Sequence, residues 1–125
     1  MAPAPQPRPC ILIVEDNADL RDSLAELLQY EGYEVARAAN GQEALRYLRE
    51  CPPPCLILLD LMMPVMNGWE FRKQQLLDPT LSSIPVAIVT GVRNSLDQVA
   101  ALDAVDYLQK PVDMSELLKT VAAHC

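Results

Sequence analysis

The sequence has no basic excess: ten Lys and Arg stand against seventeen Asp and Glu, a formal net charge of −7. Holding nucleic acid through its phosphates requires a basic face that releases counterions, and no Lys/Arg cluster supplies one. Nucleic-acid binding by this chain is therefore not expected. No apolar run approaches the roughly 20 residues of a membrane-spanning helix. Met1 to Pro9 also lacks the continuous apolar core of a secretory signal. Pro3, Pro5, Pro7 and Pro9 remove the backbone donors that a ladder would need, so residues 1–9 read as a disordered lead-in. A cytoplasmic protein without membrane contact is the expectation. His124 is the single histidine, and of the four cysteines only Cys51 and Cys55 are close in sequence. Structural zinc sites usually come as two close-spaced ligand pairs, so zinc is disfavoured and four thiols are expected in a reducing compartment. Internal repeats and a second-domain linker are missing too. Residues 10–125 remain as one domain, long enough to bury a core.

What is present alternates. Five apolar runs, Ile11–Val14, Tyr33–Ala36, Leu56–Leu59, Val86–Val89 and Val105–Leu108, are separated by helix-like segments. Three runs are almost wholly aliphatic, as strands covered on both faces of a parallel sheet must be. The second and fifth are mixed and suit edge positions. Leu20, Leu24, Leu27 and Leu28 form a helical stripe with Asn17 before it as cap and Gly32 after it as stop. Asn40 with Glu43, Asn67 with Glu70 and Asp113 with Glu116 have capping-box spacing. The segment from about Asn94 to Leu102 carries the weakest helical pattern. Strict alternation with right-handed crossovers predicts a doubly wound α/β fold, a (βα)5 three-layer sandwich of flavodoxin type. Its five parallel strands are expected in the order 2-1-3-4-5, with the site beyond their carboxyl ends.

The residues standing there are polar. Glu15 and Asp16 follow the first run, Asp60 the third, Thr90 the fourth and Lys110-Pro111 the fifth. Taken singly, each has an ordinary explanation as a cap, a turn residue or a solvated charge. Their meeting on one edge is the signal. Two carboxylates about 4 Å apart at an effective dielectric near 20 repel by roughly 4 kcal/mol. One lysine cannot offset three acids, whereas a hard divalent cation with oxygen ligands can, and Mg2+ is the abundant one. A metal, an ammonium and a hydroxyl around one carboxylate are the equipment of phosphoryl transfer with Asp60 as nucleophile.

Four motifs carry a family resemblance: Ile13-Val14-Glu15-Asp16-Asn17, the stretch from Leu58 through Asp60 and Pro64 to Gly68, Ile88-Val89-Thr90-Gly91, and Tyr107-Leu108-Gln109-Lys110-Pro111. From Cys10 to about Ala123 the chain resembles the receiver domain of two-component response regulators. The resemblance implies that Asp60 is the phospho-acceptor. It implies Mg2+ on Asp16 and Asp60, on Glu15 through a water and on the backbone carbonyl of Met62. Lys110 would pair with phosphoryl oxygens ahead of a cis bond to Pro111. Thr90 would bind the phosphoryl group and Tyr107 would swing inward behind it, while Gly91 leaves the approach open. Met62 and Val92 would flank the site and tune phosphoryl lifetime.

Such a domain is primarily a switch that catalyses its own phosphorylation and dephosphorylation. Its implied partners are a histidine kinase or histidine phosphotransfer protein and a downstream protein target or attached domain. Asn17, Leu20, Arg21, Leu24 and Val112 would rim the kinase-docking surface, with core packing the expected role of at least one of Leu20 and Leu24, which also belong to the apolar stripe. Two departures stand out. Thr90 lies closer to Lys110 than is usual, and Ala101 to Asp106 lacks the glycine that commonly ends the fourth helix. The second makes dimerisation through that face doubtful and favours a monomer or weak dimer. A dehalogenase-type phosphatase would need an acid two residues after Asp60, where Met62 stands. A receiver-like module without phosphoryl chemistry would lack one of Asp16, Asp60, Thr90 or Lys110, and all four are present.

Overall fold

The computed structural model describes residues 9–91 and 102–125. Five strands form one parallel sheet: β1 (Cys10–Val14), β2 (Glu34–Ala38), β3 (Leu56–Leu59), β4 (Val86–Thr90) and β5 (Asp106–Gln109). Their order is β2-β1-β3-β4-β5. Helices α1 (Ala18–Tyr30), α2 (Gly41–Glu50), α3 (Gly68–Leu77) and α4 (Met114–His124) are those among the described residues. The lead-in up to Arg8, Val92 and all but the last residue of the Asn94–Leu102 segment lie outside them.

Alternation along the strands divides the core into two layers. Leu12, Val14, Ile57, Leu59, Val86 and Ile88 pack with Ala44, Leu45 and Leu48 of α2 and Phe71 of α3. Ile11, Ile13, Leu56, Leu58, Ala87 and Val89 pack on the other side with Leu24 and Leu28 of α1 and Leu117 and Val121 of α4. Central strands covered on both faces have no solvent side, which is why their sequences are aliphatic throughout. Trp69 packs half-buried against the first layer.

The caps stand where their spacing places them. Asn17, Asn40 and Asn67 accept from the backbone N–H three residues on, and Asp113 accepts from Ser115 and Glu116. At the end of α1, Gly32 takes φ +97°. Gly32 N–H donates to Gln29 and Tyr33 N–H to Leu28, closing a Schellman turn.

Both edge strands depart from the expected limits. β2 runs to Ala38 because Arg37 and Ala38 continue the pairing with Ile13 and Val14. β5 starts at Asp106, opposite Ala87, and reaches Gln109. Backbone pairing continues across the polar Arg37 in β2 and onto Gln109 in β5, where a hydropathy limit stops.

One further finding corrects the expectation of four free thiols. Cys55 and Cys125 form a disulfide with Cα atoms 5.4 Å apart, leaving Cys10 and Cys51 as the free thiols. Within the glycine-free stretch that precedes β5, Asp103 adopts φ +50°, a conformation a short polar residue tolerates. Arg72, buried on α3, donates to the carbonyls of Leu102 and Asp103 at 2.8 and 3.0 Å and to Gln75 Oε1 at 2.8 Å. Gln75 Nε2 in turn reaches the carbonyls of Leu81 and Ile84.

Candidate functional site

Glu15, Asp16 and Asp60 each offer a carboxylate oxygen, and these oxygens lie within 4.8 Å of one another. Parallel pairing of β1 with β3 causes this. Val14 is registered with Leu59, so the residues that follow emerge side by side. Asp60 N–H donates to the Val14 carbonyl at 2.9 Å and fixes that exit. Glu15 and Asp60 are 3% and 4% exposed, whereas Asp16 is exposed.

Lys110 reaches across from the end of β5. Its Nζ donates to Glu15 Oε1 at 2.6 Å and lies 3.5 Å from Asp60 Oδ2. The peptide bond from Lys110 to Pro111 is cis. Lys110 N–H donates to the Thr90 carbonyl at 2.9 Å, so the hydroxyl-bearing and ammonium-bearing residues are held on neighbouring strands. Thr90 is buried at the end of β4, and Tyr107 on β5 is 42% exposed.

The charges are unevenly balanced. Burial, with Asp60 alongside, pushes the Glu15 carboxyl up to about 8 against the opposing pull of Lys110. Burial would lower the Lys110 ammonium, but its hydrogen bond to Glu15 and the charge of Asp60 outweigh that and hold it above its ordinary value. Glu15 Oε2 is buried without a hydrogen-bond partner. An orphaned carboxylate oxygen beside two other acids is a donor set suited to a hard divalent cation.

The loop after Asp60 is tightly specified. Met62 N–H approaches Asp60 Oδ1 at 3.4 Å, and Met62 itself is exposed. Val65 has φ +68°, and Met66 N–H donates back to the Pro64 carbonyl at 2.7 Å, closing a γ-turn around a β-branched residue. That conformation is strained for valine. At Gly68 a Cβ would stand 2.4 Å from the Asp60 carbonyl oxygen and 2.8 Å from Leu61 Cα. Only glycine lets α3 begin this close to the backbone of Asp60. At Gly91, by contrast, a Cβ would meet only the Lys110 side chain, at an ordinary 3.7 Å.

The core role expected of Leu20 or Leu24 falls to Leu24. Leu24 is 1% exposed and belongs to the core layer under α1. Arg21 Nη1 donates to the Glu15 carbonyl at 2.8 Å, so its side chain braces the acidic edge. Spacing alone did not signal that bond, because its acceptor is a backbone atom.

The family model of the response regulator receiver domain matches residues 11–122. The alkaline phosphatase synthesis transcriptional regulatory protein SphR of Synechococcus elongatus is 39% identical over 126 residues, covering 93% of this chain and 48% of that protein. Protein PilH of Pseudomonas aeruginosa is 38% identical over 115 residues, covering 90% of this chain and 94% of its own length. This chain thus spans about half of the first relative and nearly all of the second. Chemotaxis protein CheY4 of Vibrio cholerae has the same fold, with a TM-score of 0.85 and 31% identity across 94% of this chain and 99% of that one. Since the match runs from the first strand into the last helix, the chain belongs to the response regulator receiver domains of two-component signalling.

Proposed function

We propose that Asp60 accepts a phosphoryl group from a histidine kinase or histidine phosphotransfer protein in a Mg2+-dependent reaction. The observation that carries this reading is the convergence of three carboxylate oxygens within 4.8 Å, one of them beside an orphaned buried oxygen, with Lys110 bridging two of the acids. Asp16 and Asp60, Glu15 through a water, and the Met62 carbonyl would hold Mg2+, which neutralises the phosphoryl oxygens when bound.

The remaining chemistry belongs to the chain's own residues. An Asp60 carboxylate oxygen attacks phosphorus, the bond from phosphorus to the donor imidazole nitrogen breaks, and its electron pair leaves with the imidazole. Lys110 balances the charge gained at Asp60. Thr90 donates to the new phosphoryl oxygens, and Tyr107 moves inward as the output of the switch. A cytoplasmic setting, output through protein contacts and a monomer or weak dimer complete the reading. The net charge of −7 disfavours direct approach to a polyanion. Among the described residues, no helix is long and apolar enough to cross a membrane.

Acetyl phosphate with Mg2+ tests this on the intact protein by mass spectrometry. One added phosphoryl group is expected in the wild type, and none in Asp60→Asn or with a chelator present. Labelling that survives in Asp60→Asn would move the nucleophile elsewhere.

A further inference from the structure

The four cysteines lie at the opposite edge of the sheet from Asp60. Cys10 opens β1, Cys55 immediately precedes β3, and Cys51 and Cys125 cap the ends of α2 and α4. From Cys55 to Asp60 the chain runs the length of β3, roughly 16 Å at the rise of an extended strand. Cys55 N–H donates to the Cys10 carbonyl at 2.8 Å, so the starts of the two strands are locked together. Among the described residues no three Cys or His side chains come close enough to share a metal ion. The chemistry of this edge is that of sulfur with sulfur.

We propose that Cys55–Cys125 is a reversible redox site whose substrate class is a thiol–disulfide couple, and that its closure fastens α4 to the sheet. Cys125 is exposed and Cys55 half-buried, so Cys125 Sγ is the accessible point of attack. An external thiolate bonds to Cys125 Sγ, the bond to Cys55 breaks, and Cys55 leaves as a thiolate that takes up a proton. A second external thiolate attacks the first reductant sulfur of the mixed disulfide and releases Cys125 as a thiolate, which is then protonated. Two electrons and two protons pass to the protein, and the couple leaves as its disulfide. The reduced state is also provided for, because Cys55 Sγ lies 3.3 Å from the Cys10 carbonyl oxygen, ready to accept from the thiol.

Closure has consequences along the whole second half of the fold. The bridged residues are 70 apart in sequence, and the loop between them contains Asp60, Thr90, Tyr107 and Lys110. The bridge holds the carboxyl end of α4, whose Leu117 and Val121 are buried against the sheet. Thr120 Oγ1 donates to Asp106 at the start of β5, linking that helix to the strand that carries Tyr107. A cross-link closing so long a loop should raise Tm by ~10 °C.

The test uses the intact chain equilibrated in glutathione buffers of graded ratio, then alkylated under denaturing conditions and peptide-mapped. In oxidising buffer Cys10 and Cys51 are expected to be alkylated and Cys55 and Cys125 to be found linked. The linked fraction should titrate as a two-electron couple, with Tm following it. Cys125→Ser and Cys55→Ser should both show the Tm of the reduced wild type under all buffers, while Cys10→Ser keeps the redox-dependent shift. Alkylation of all four cysteines in oxidising buffer, a Cys51–Cys55 pair, a bridge that no buffer opens, or one Tm in both states would each overturn the proposal.

Discussion

The two ends of the sheet are built on opposed terms. At the carboxyl edge three acids stand together, one carboxylate oxygen has no partner, and a valine holds a γ-turn. At the amino edge α1 closes in a Schellman turn, the first strands are stapled by backbone hydrogen bonds, and a disulfide joins the last helix to the third strand. One edge holds unfavourable features that a ligand can relieve, and the other carries the stabilising ones. Substitutions at the amino edge should therefore lower stability and spare the chemistry. Those at the carboxyl edge should alter the chemistry while leaving stability unchanged or raised.

The largest effect is expected from Leu28→Ala, near the amino end of the sheet. Leu28 is fully buried under α1, and its truncation leaves a cavity costing about 3 kcal/mol in urea denaturation. Mg2+-dependent labelling by acetyl phosphate should persist in the folded fraction. Loss of labelling in protein shown to be folded would break the division between the edges.

The next effect is a pH dependence. Glu15 stands at about 8 in the folded protein against an ordinary 4.5, so the folded state binds more protons than the unfolded between these values. Its contribution to stability is full below about pH 4.5 and is lost as pH rises through 8, on the order of 2 kcal/mol in metal-free protein. Asp78 and Asp113, held below their ordinary 3.8, act only at more acid pH and do not mask the window. The fall should disappear in Glu15→Gln and shrink when Mg2+ is added. Denaturation curves between pH 5 and 8 check this, and the same slope in Glu15→Gln would assign it to another group.

The acidic edge was legible in the sequence because its residues announce themselves locally. Asp60 and Thr90 each directly follow an apolar run, Lys110-Pro111 stands one residue beyond another, and a parallel sheet places all such positions at one end. The caps Asn17, Asn40, Asn67 and Asp113 were legible for the same reason, since donor and acceptor lie within one turn. What escaped depends on distant chain. Cys55 and Cys125 become neighbours only after α4 packs back along the sheet. Arg72 is a charged residue that helical patterning would send to solvent, yet carbonyls 30 and 31 residues further on draw it inside. The carbonyl partner of Arg21 and the positive φ of Val65 likewise arise from the folded backbone.

The smallest effect concerns that valine. Val65→Gly removes the steric penalty of a left-handed β-branched residue and should raise stability by about 1 kcal/mol, net of the glycine's greater entropy when unfolded. The change in urea midpoint reads it. A destabilised variant would mean that the turn is not a store of strain.

The central claim is that the carboxyl edge exists to place a phosphoryl group on Asp60, and trapping the acyl phosphate tests it most directly. Borohydride reduces a carboxyl-phosphate to an alcohol, leaving homoserine where a phosphorylated aspartate stood. After treatment with acetyl phosphate and Mg2+, peptide mapping should find homoserine at position 60 alone, and nowhere when a chelator is present. Homoserine at position 16, or at position 60 without Mg2+, would contradict the account.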